Sequence, residues 1–493
     1  MEAIRVAVDI APLGPQIVLA VGGLLLLLLS LRRGSEALAP YVSLAVLGAA
    51  AWVCASWWSD PPSAGPGMLA LDRFAILFDL ILLGAAAAAC LLSAVYFHAG
   101  YDLRSEYYSL LLFCTLGMTV MTGSRDFVSM FLGLEIFSLC FYLLSAYARG
   151  RATALESAMK YFLLGAFSSG FLLYGMALVY GATRTLDLER VRDLLVTRQA
   201  SPSLTLFAGL ALLLVGFGFK IGIAPFHFWI PDVYEGAPAA VTAFMAAATK
   251  VAAFAGLLRV LHVGFGDPAS VARWAPLLGL LAALTMTTAN VVALAQRNLK
   301  RLLAYSSIAH AGYVLLAVAT GTMAGVESVV FYLLAYVAAN LGAFSVAVFV
   351  GRSRPDREEG YRLDDLVGLG RRRPAMAAAM TVFMLSLTGI PPTAGFLGKW
   401  FIFKSALDAH LLGLAIVLAV NSAIAAYYYL GVVARMYMTE ETGDQRSSPV
   451  PIPLAISAGI AVAAVFYLGL FPDRILALVN EMALKFWGPV QLI

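Results

Sequence analysis

The chain has 493 residues, of which 61% are hydrophobic and 13% are charged, and its formal net charge is +4. Soluble domains carry about 25% charged residues, so this composition excludes an ordinary soluble enzyme and indicates a polytopic membrane protein. The small net charge gives no reason to expect a nucleic-acid partner. The cysteines lie in separate apolar runs without a CxxC or Cys/His cluster, which argues against iron–sulfur and structural zinc sites; they are Cys54, Cys90, Cys114 and Cys140.

Apolar runs recur along the whole chain and predict an all-α fold with about fourteen transmembrane helices. A bilayer core about 30 Å thick needs about 20 apolar residues per helix. The first run, Pro15 to Leu31, lacks a cleavage-like tail and is followed by another long run, so we interpret it as a retained helix rather than a signal peptide. The predicted spans are 15–31, 38–58, 73–96, 106–122, 127–148, 153–180, 203–232, 236–259, 274–296, 301–320, 324–351, 376–406, 408–437 and 451–471.

Loops and surface segments predict the orientation of these spans. Between the sixth and seventh spans, Leu188, Val191 and Leu195 share one helical face and arginines the other, which is typical of a helix at the membrane surface. The loops reached after the first span carry more lysine and arginine than the loops on the other side, which favours a cytoplasmic location for them. We therefore expect the N-terminus outside; the basic loop residues include Arg32, Arg33, Arg104, Arg149, Arg151, Arg297, Lys300, Arg301, seven arginines between 352 and 373, Arg435 and Arg446.

The seventh and twelfth spans are unusually long and contain prolines. The sequence GIAPF holds Pro225, and GIPPT holds Pro391 and Pro392. Proline removes a backbone N–H and breaks a helix, so both spans are predicted to be broken. The breaks lie five spans apart, so the two helices run in opposite directions. Paired interrupted helices in inverted halves indicate a transport site at the interface between the repeats.

Charged residues near the middle of predicted spans are the candidate site. They are Glu135, Lys220, Lys250 and Lys399. Each costs roughly 2.5–3.5 kcal/mol at a helix centre on insertion scales. The alternative is snorkelling, in which a long side chain reaches the membrane surface from near a helix end. That alternative applies least to Lys220 and Lys250, more to Lys399, and most to Lys404.

Other polar residues in the spans leave two interpretations open. Lys160 is shallower, and Glu156 lies one helical turn before it, so the two form either a structural pair or a pair through which protons enter. His227 and His310 are each either packed imidazoles or proton carriers, and the position of His227 between two mid-membrane lysines favours the second role. Asp79 is interpreted as a residue near the start of its helix with local hydrogen bonds.

Five stretches together resemble the subunit N family of bacterial NADH–quinone oxidoreductase, respiratory complex I, whose mitochondrial counterpart is NADH dehydrogenase subunit 2. The resemblance covers about residues 70 to 437. It implies an antiporter-like fold with two inverted five-helix repeats, formed by spans 4–8 and 9–13. The expected domains are 1–105, 106–260, 261–437 and 438–493. The stretches are FLGLEIFSLCFYLLSAY, ESAMKYFLLGAFSSGFLLYG, KIGIAPFHFWIPDVYEGAP, NLKRLLAYSSIAHAGY and TGIPPTAGFLGKW.

The resemblance also implies a function and a set of site residues. The chain is expected to pump protons in a bacterial-type inner membrane, with other membrane and peripheral subunits of complex I and the lipid bilayer as partners. It is expected to hold no cofactor and no metal, while FMN, iron–sulfur clusters and quinone belong to other subunits. The family's membrane glutamate falls on Glu135 and its lysines fall on Lys220, Lys250 and Lys399. Related subunits carry glutamate at the last position, so Lys399 favours the subunit N family.

A relay hypothesis combines these residues. A carboxylate beside a buried lysine stabilises its protonated form, so Glu135 is the expected switch for Lys220. The break at Pro225 frees backbone groups that neighbours or water must satisfy. The proposed order is Lys220, His227, Lys250, His310 and Lys399.

Two other functional classes share parts of this pattern. A subunit of a multisubunit Na⁺/H⁺ antiporter or of a membrane-bound hydrogenase would have the same broken helices and lysines. The stretches KYFLLGAF and YSSIAHAGY favour complex I. A structural scaffold without an ion path is disfavoured, because it gives no reason for four costly charges inside the membrane.

Overall fold

The structure is a computed structural model that describes residues 13–32, 36–62, 68–96, 105–197, 203–352, 361–439 and 449–487. Several arginines used for the orientation prediction, and Arg198 of the surface segment, lie outside these ranges; the loop residues are Arg33, Arg104, Arg354, Arg357 and Arg446. The described chain is almost entirely helical. Its α-helices are α1 (Gly14–Ser30), α2 (Ala39–Ser56), α3 (Arg73–Tyr96), α4 (Ser105–Thr122), α5 (Phe127–Ser145), α6 (Ala152–Thr183), α7 (Leu188–Val196), α8 (Leu204–Ile221), α9 (Trp229–Gly236), α10 (Ala239–Leu258), α11 (Pro268–Ala293), α12 (Leu299–Ala319), α13 (Met323–Arg352), α14 (Leu369–Arg372), α15 (Pro374–Thr388), α16 (Ala394–Asp408), α17 (Leu412–Tyr437), α18 (Ile452–Leu470) and α19 (Asp473–Trp487).

Every predicted span coincides with one of these helices or with a broken pair. Among the described residues, eleven helices are long and apolar enough to cross a membrane, and α1 and α15 are shorter apolar helices. A π-helical turn, Arg259–Gly264, extends α10. The four cysteines are free and buried, as the sequence predicts.

Both predicted helix breaks are confirmed and have the same local form. Helix α8 ends before Gly222 and α15 ends before Gly389, and both glycines have a left-handed conformation with φ of 80° and 89°. Glycine adopts this conformation without the steric penalty of a Cβ atom and is the common residue after a helix C-terminus. The peptide bonds Ala224–Pro225 and Pro391–Pro392 are both cis. Helix α9 is the second half of the helix that begins with α8, and α16 is the second half of the helix that begins with α15.

Equivalent contacts recur in the two halves of the chain. Helix α4 packs on α5 and α6 packs on α8, just as α11 packs on α12 and α13 packs on α15. Short antiparallel bridges hold the residue before α5 and the residue before α12 in the same way, in the pairs Asp126–Asp187 and Asn298–Arg362. Because α5 and α12 are five spans apart, the two bridges lie at opposite membrane faces. We propose repeat boundaries at 106–260 and 261–437 between flanking regions 1–105 and 438–493.

The amphipathic segment is confirmed as helix α7, which buries Leu188, Val191 and Leu195. It packs against the π-helical turn after α10, so it lies on one end of the bundle. Its charged residues Glu189 and Arg190 are exposed. The helix therefore covers the end of the bundle rather than crossing the membrane.

Two expectations about the flanking regions are wrong. The region 438–493, for which the sequence predicts the single span 451–471, contains a second helix, α19, which is docked through an ion pair between Glu481 and Arg73 and through stacking of Phe486 on Phe74. This helix is too polar to be recognised as a span. Asp79 does not sit near a helix start with local bonds, because its side chain is fully buried and contacts Thr122 of α4.

Candidate functional site

Lys220 and Glu135 are held by different hydroxyl groups. The Lys220 ammonium donates a hydrogen bond of 2.8 Å to Ser138 Oγ, whereas Ser169 of α6 donates to Glu135 Oε1. The two charges interact electrostatically, but no direct ion pair joins them among the described residues. In the expected switch, Lys220 is therefore bound to Ser138 and Glu135 to Ser169, and the two charges attract each other without direct contact.

Aromatic rings surround the Lys220 ammonium group. Four ring centroids lie 5.7–5.9 Å from Nζ; they belong to Phe137, Tyr142, Tyr161 and Phe219. Ring faces attract a cation without offering a carboxylate that would hold its proton permanently. Lys220 is 2% exposed, so its ammonium is stabilised by these rings, by Ser138 and by the more distant Glu135.

Glu135 is only partly covered by its own chain. On the same helix, one turn before and after it, Leu132 and Leu139 are each 53% exposed. The carboxylate therefore lies close to an outer, apolar face of the bundle. A carboxylate exposed to lipid at this depth is costly, so this face requires a covering partner.

Lys250 of α10 and Lys399 of α16 donate to equivalent backbone carbonyls at the two helix breaks. Lys250 Nζ donates to the carbonyl oxygen of Ile221 at 2.8 Å, and Lys399 Nζ donates to that of Thr388 at 2.8 Å. These carbonyls end α8 and α15, where backbone acceptors have no partner inside the helix and a cation is favoured by the helix dipole. Both lysines are buried.

The buried position of Lys399 argues against snorkelling. Its Nζ lies 4.8 Å from the centroid of the Tyr313 ring, which keeps it inside the bundle. Lys404, on the same helix, has an exposed side chain. The two lysines of this helix therefore have different environments, although both follow the second break.

Side chains also bind two further backbone groups near the first break. The amide N–H of Ala224 donates to Thr285 Oγ1 at 3.0 Å, and the indole N–H of Trp229 donates to the carbonyl oxygen of Phe219 at 3.0 Å. Unpaired backbone groups are costly inside a membrane. The break is thus stabilised by residues of α9 and α11, and by Lys250 of α10.

His310 is buried between two tyrosine hydroxyls. Its Nδ1 atom hydrogen-bonds to the Tyr332 hydroxyl, and its Nε2 atom lies 3.0 Å from the Tyr429 hydroxyl. The charges of Lys250 and Lys399 both act on the imidazole. A neutral imidazole has one nitrogen that donates and one that accepts, so His310 can accept a proton on one side and release one on the other.

The tyrosines around His310 were missed in the sequence. Tyr332 and Tyr336 are four residues apart on α13, so they lie on one helix face. The Tyr336 hydroxyl bonds Ser307 Oγ at 2.9 Å and the carbonyl oxygen of Ala246 at 3.3 Å, which links α13 to both α12 and α10. Paired tyrosines at this spacing inside an apolar span were the available signal.

His227 lies away from this cluster. It is half-buried and stacks on Phe228, whose side chain is 73% exposed, with ring centroids 4.8 Å apart. Its Nδ1 atom has no hydrogen-bond partner among the described residues. The structure therefore brings His310 into the cluster but leaves His227 beside the first break without a bond to Lys220 or Lys250.

The predicted pair of Glu156 and Lys160 belongs to a larger ion network. Lys160 Nζ lies 2.8 Å from Glu156 and 2.9 Å from Asp232. Arg301 then bonds Asp232 at 3.0 Å and Glu235 at 2.7 Å. The partners missed in the sequence come from the stretches PDVYEGAP and NLKRLL. The network joins α6, α9 and α12.

Metal binding has no support in the described part of the chain, where no group of three His, Cys, Asp or Glu side chains could hold an ion. The chemistry of the site is instead that of groups that bind and release protons: lysine, histidine, tyrosine and carboxylate. They lie at two broken helices and in the space between them.

Comparison with known proteins identifies the family. A family model described as NADH:quinone oxidoreductase/Mrp antiporter, TM, matches residues 124–425. NADH-quinone oxidoreductase subunit N of Trichlorobacter lovleyi is 43% identical over 469 residues, which are 95% of each chain. The chain belongs to the subunit N family of NADH-quinone oxidoreductases.

Solved structures place the subunit N family within a broader fold. A chain of respiratory complex I from Thermus thermophilus with bound aureothin is 38% identical, with a TM-score of 0.80 and coverage of 94% of this chain and 99% of that one. A chain of the Mrp complex from Dietzia sp. has a TM-score of 0.85, covers 98% of each chain and is 24% identical. The second likeness shows the fold alone, so sequence rather than shape separates subunit N from antiporter chains.

Replacing Tyr332 by phenylalanine is expected to slow proton transfer through His310 without preventing assembly. The substitution leaves His310 Nδ1 without its partner, and a buried polar group without a partner costs about 1–3 kcal/mol. A cost of one or two kcal/mol corresponds to a roughly 5–30-fold decrease in the rate of proton transfer. Proton pumping by the reconstituted subunit N complex measures the effect. The control is Tyr427→Phe, because Tyr427 is 75% exposed; equal pumping by both variants would exclude a role for the Tyr332 hydroxyl.

Proposed function

We propose that this chain is a proton-translocating membrane subunit of an NADH–quinone oxidoreductase. The observation that carries the proposal is the pairing of Lys250 and Lys399 with the two helix breaks, together with a buried imidazole, His310, on which both of their charges act. Quinone reduction in neighbouring subunits drives the movement of protons, and this chain performs no redox chemistry. FMN, iron–sulfur clusters and quinone belong to other subunits.

The proton route begins at Lys220 and ends at Lys399. Glu135 is the switch: when its attraction for Lys220 weakens, the ammonium becomes a better acid and passes its proton toward Lys250. His227 assists from beside the break, since its free Nδ1 atom can accept a proton. His310 then carries the proton to Lys399. Glu156 and Lys160, with Asp232, form the polar face through which protons enter.

The exposed side of Glu135 supports assembly with other subunits. Its outer face carries large apolar side chains around an intramembrane carboxylate, which suits a neighbouring membrane subunit better than lipid. The proposed location is a bacterial-type inner membrane, with the N-terminus outside and the network of Glu156 and Lys160 on the cytoplasmic side. Partners are the other membrane and peripheral subunits of complex I and the surrounding bilayer.

Purifying the chain from its native membrane tests this assignment against the alternatives. We expect NADH- or quinone-linked peripheral subunits to accompany it. Companions limited to small antiporter subunits would favour a multisubunit Na⁺/H⁺ antiporter, and a hydrogenase module would favour a membrane-bound hydrogenase.

Lys399→Arg and Lys399→Ala are both expected to lower the number of protons pumped per electron. Arginine keeps the charge but cannot release a proton, and alanine leaves the carbonyl of Thr388 without its donor. The ratio is measured in reconstituted vesicles after assembly has been checked. Lys404→Arg and Lys404→Ala are matched controls on the same helix. Full pumping by both Lys399 variants would contradict an exit role for this residue.

A further inference from the structure

A second buried carboxylate lies outside the lysine route. Asp79, on α3, is 0% exposed. One oxygen, Oδ2, has no hydrogen-bond partner among the described residues, and the other contacts the hydroxyl of Thr122. No cation pairs with it directly in the described ranges. A permanently ionised carboxylate in such a place is very costly, so the surroundings of Asp79 need an explanation.

Thr122 gives Asp79 two hydrogen-bonding states. The Thr122 hydroxyl lies within hydrogen-bond distance of Asp79 Oδ1 and, at 2.9 Å, of the carbonyl oxygen of Thr119. A hydroxyl has only one proton to donate. When Asp79 is ionised, Thr122 donates to it. When Asp79 is protonated, Asp79 donates to Thr122 Oγ1 and Thr122 donates to Thr119. The carboxyl can therefore gain or lose a proton without movement of heavy atoms.

A fixed cation lies between Asp79 and the membrane face. Arg259 is buried; its Nε donates to the carbonyl oxygen of Thr122, and its terminal nitrogen bonds Asp72 at 2.8 Å. Guanidinium does not release its proton, so Arg259 supplies charge rather than a relay step. The positive charge of Arg259 attracts the ionised carboxylate of Asp79 through space, and the negative charge of Asp72 repels it. From α2, the buried thiol of Cys54 also interacts with Asp79.

A cavity lies at the start of α3, about two helical turns before Asp79. Asp72 precedes Asp79 by seven residues, about 10 Å along a helix, and its side chain is 42% exposed. Asp72, Arg73 and Asp60 line a cavity of about 330 Å³. Water occupies about 30 Å³ per molecule in the liquid, so this volume has room for several. The cavity reaches Asp72, and hydrogen bonds link Asp72 through Arg259 to Thr122, whose hydroxyl contacts Asp79.

We propose that Asp79 is a proton-binding site that loads and releases protons through the cavity at Asp72. The inference goes beyond the lysine route and rests on the proposed function only in assigning that face to proton release. The bound species is a proton rather than a metal cation, because the Thr122 hydroxyl is the one side-chain partner of Asp79 among the described residues, and no group of His, Cys, Asp or Glu side chains there could hold a metal ion. The site lies between the N-terminal helices and the first repeat.

Infrared difference spectra of the intact reconstituted complex, recorded between two pH values, test the proposal. Wild type is expected to show a carboxyl C=O band that Asp79→Asn loses, because the amide copies the protonated form and cannot titrate. Thr122→Val should shift the band, since it removes the hydroxyl but keeps the shape, whereas Thr122→Ser should preserve it. Asp79→Asn should also lose part of the proton release to this face, measured with a pH-sensitive dye.

The outcomes separate this inference from the proposed function. A band that persists unchanged in Asp79→Asn would overturn the proton site, even if the lysine variants stop pumping. A band that is lost in Asp79→Asn, together with normal pumping by the lysine variants, would support the site and contradict the relay. Assembly is checked by NADH oxidation with an artificial acceptor. If Asp79→Asn does not assemble, an unchanged band in Thr122→Val overturns the proposal.

Discussion

Lys250→Arg is expected to block proton transfer through this chain while the complex still assembles. Reference pKa values are about 10.4 for lysine and 12.5 or higher for arginine, so in one environment proton release becomes harder by about 100-fold or more. Arginine can still donate to the carbonyl oxygen of Ile221 and keep the helix end satisfied. The substitution therefore removes proton release and retains charge.

The measurement is the ratio of protons pumped to electrons transferred in vesicles containing the purified complex. Lys300→Arg is a matched control, because Lys300 is also buried and also donates to backbone carbonyl oxygens, those of Glu235 and Ala237 at 2.6 Å. Lys300 is not in the proposed route. Normal pumping by Lys250→Arg would mean that Lys250 is a fixed charge and would remove it from the relay. Failure of both variants to assemble would show that these pockets reject guanidinium.

Glu135→Gln is expected to reduce pumping strongly as well. Glutamine can still accept the hydrogen bond from Ser169, so the substitution removes the negative charge and little else. Lys220 then loses the one carboxylate that acts on it among the described residues, and it holds its proton less well. The proton per electron ratio and the rate of quinone reduction both measure the loss of coupling.

Two variants calibrate the result for Glu135. Glu189→Gln makes the same chemical change in an exposed ion pair with Arg125 and is expected to pump normally, because exposed pairs contribute about 0–1 kcal/mol. Ser169→Ala keeps the charge and removes one hydrogen bond, so its effect should be smaller. Wild-type pumping by Glu135→Gln would rule out the switch.

Sequence predicted the elements whose signals are local. Proline inside a long apolar span predicts a broken helix, and the structure breaks both helices within the stretches GIAPF and GIPPT. A lysine in the middle of an apolar run must have a buried partner or function, and Lys220, Lys250 and Lys399 are all buried. These inferences need only chain composition and the energetics of the bilayer.

What remained hidden depends on contacts between distant parts of the chain. The partners of His310 come from α13 and α17, 22 and 119 residues away, and a single sequence contains no record of that packing. Asp79 was misinterpreted for the same reason, because its partner Thr122 lies 43 residues away. Helix α19 was missed because its docking depends on a pairing between Arg73 and Glu481, at opposite ends of the chain.

The lysines that close the two helix ends couple the position of a proton to the backbone. A cation at the last carbonyl balances the negative end of a helix dipole, so a lysine that gives up its proton loosens its hold on that end. Lys250 binds the C-terminal end of α8, and Lys399 binds the C-terminal end of α15. These two helices run in opposite directions. In the proposed route, a proton that moves from Lys250 to Lys399 would therefore weaken the contact at the end of α8 and strengthen the contact at the end of α15. In the proposed route, the protonation state of each lysine and the stability of the helix end that it binds would therefore change together.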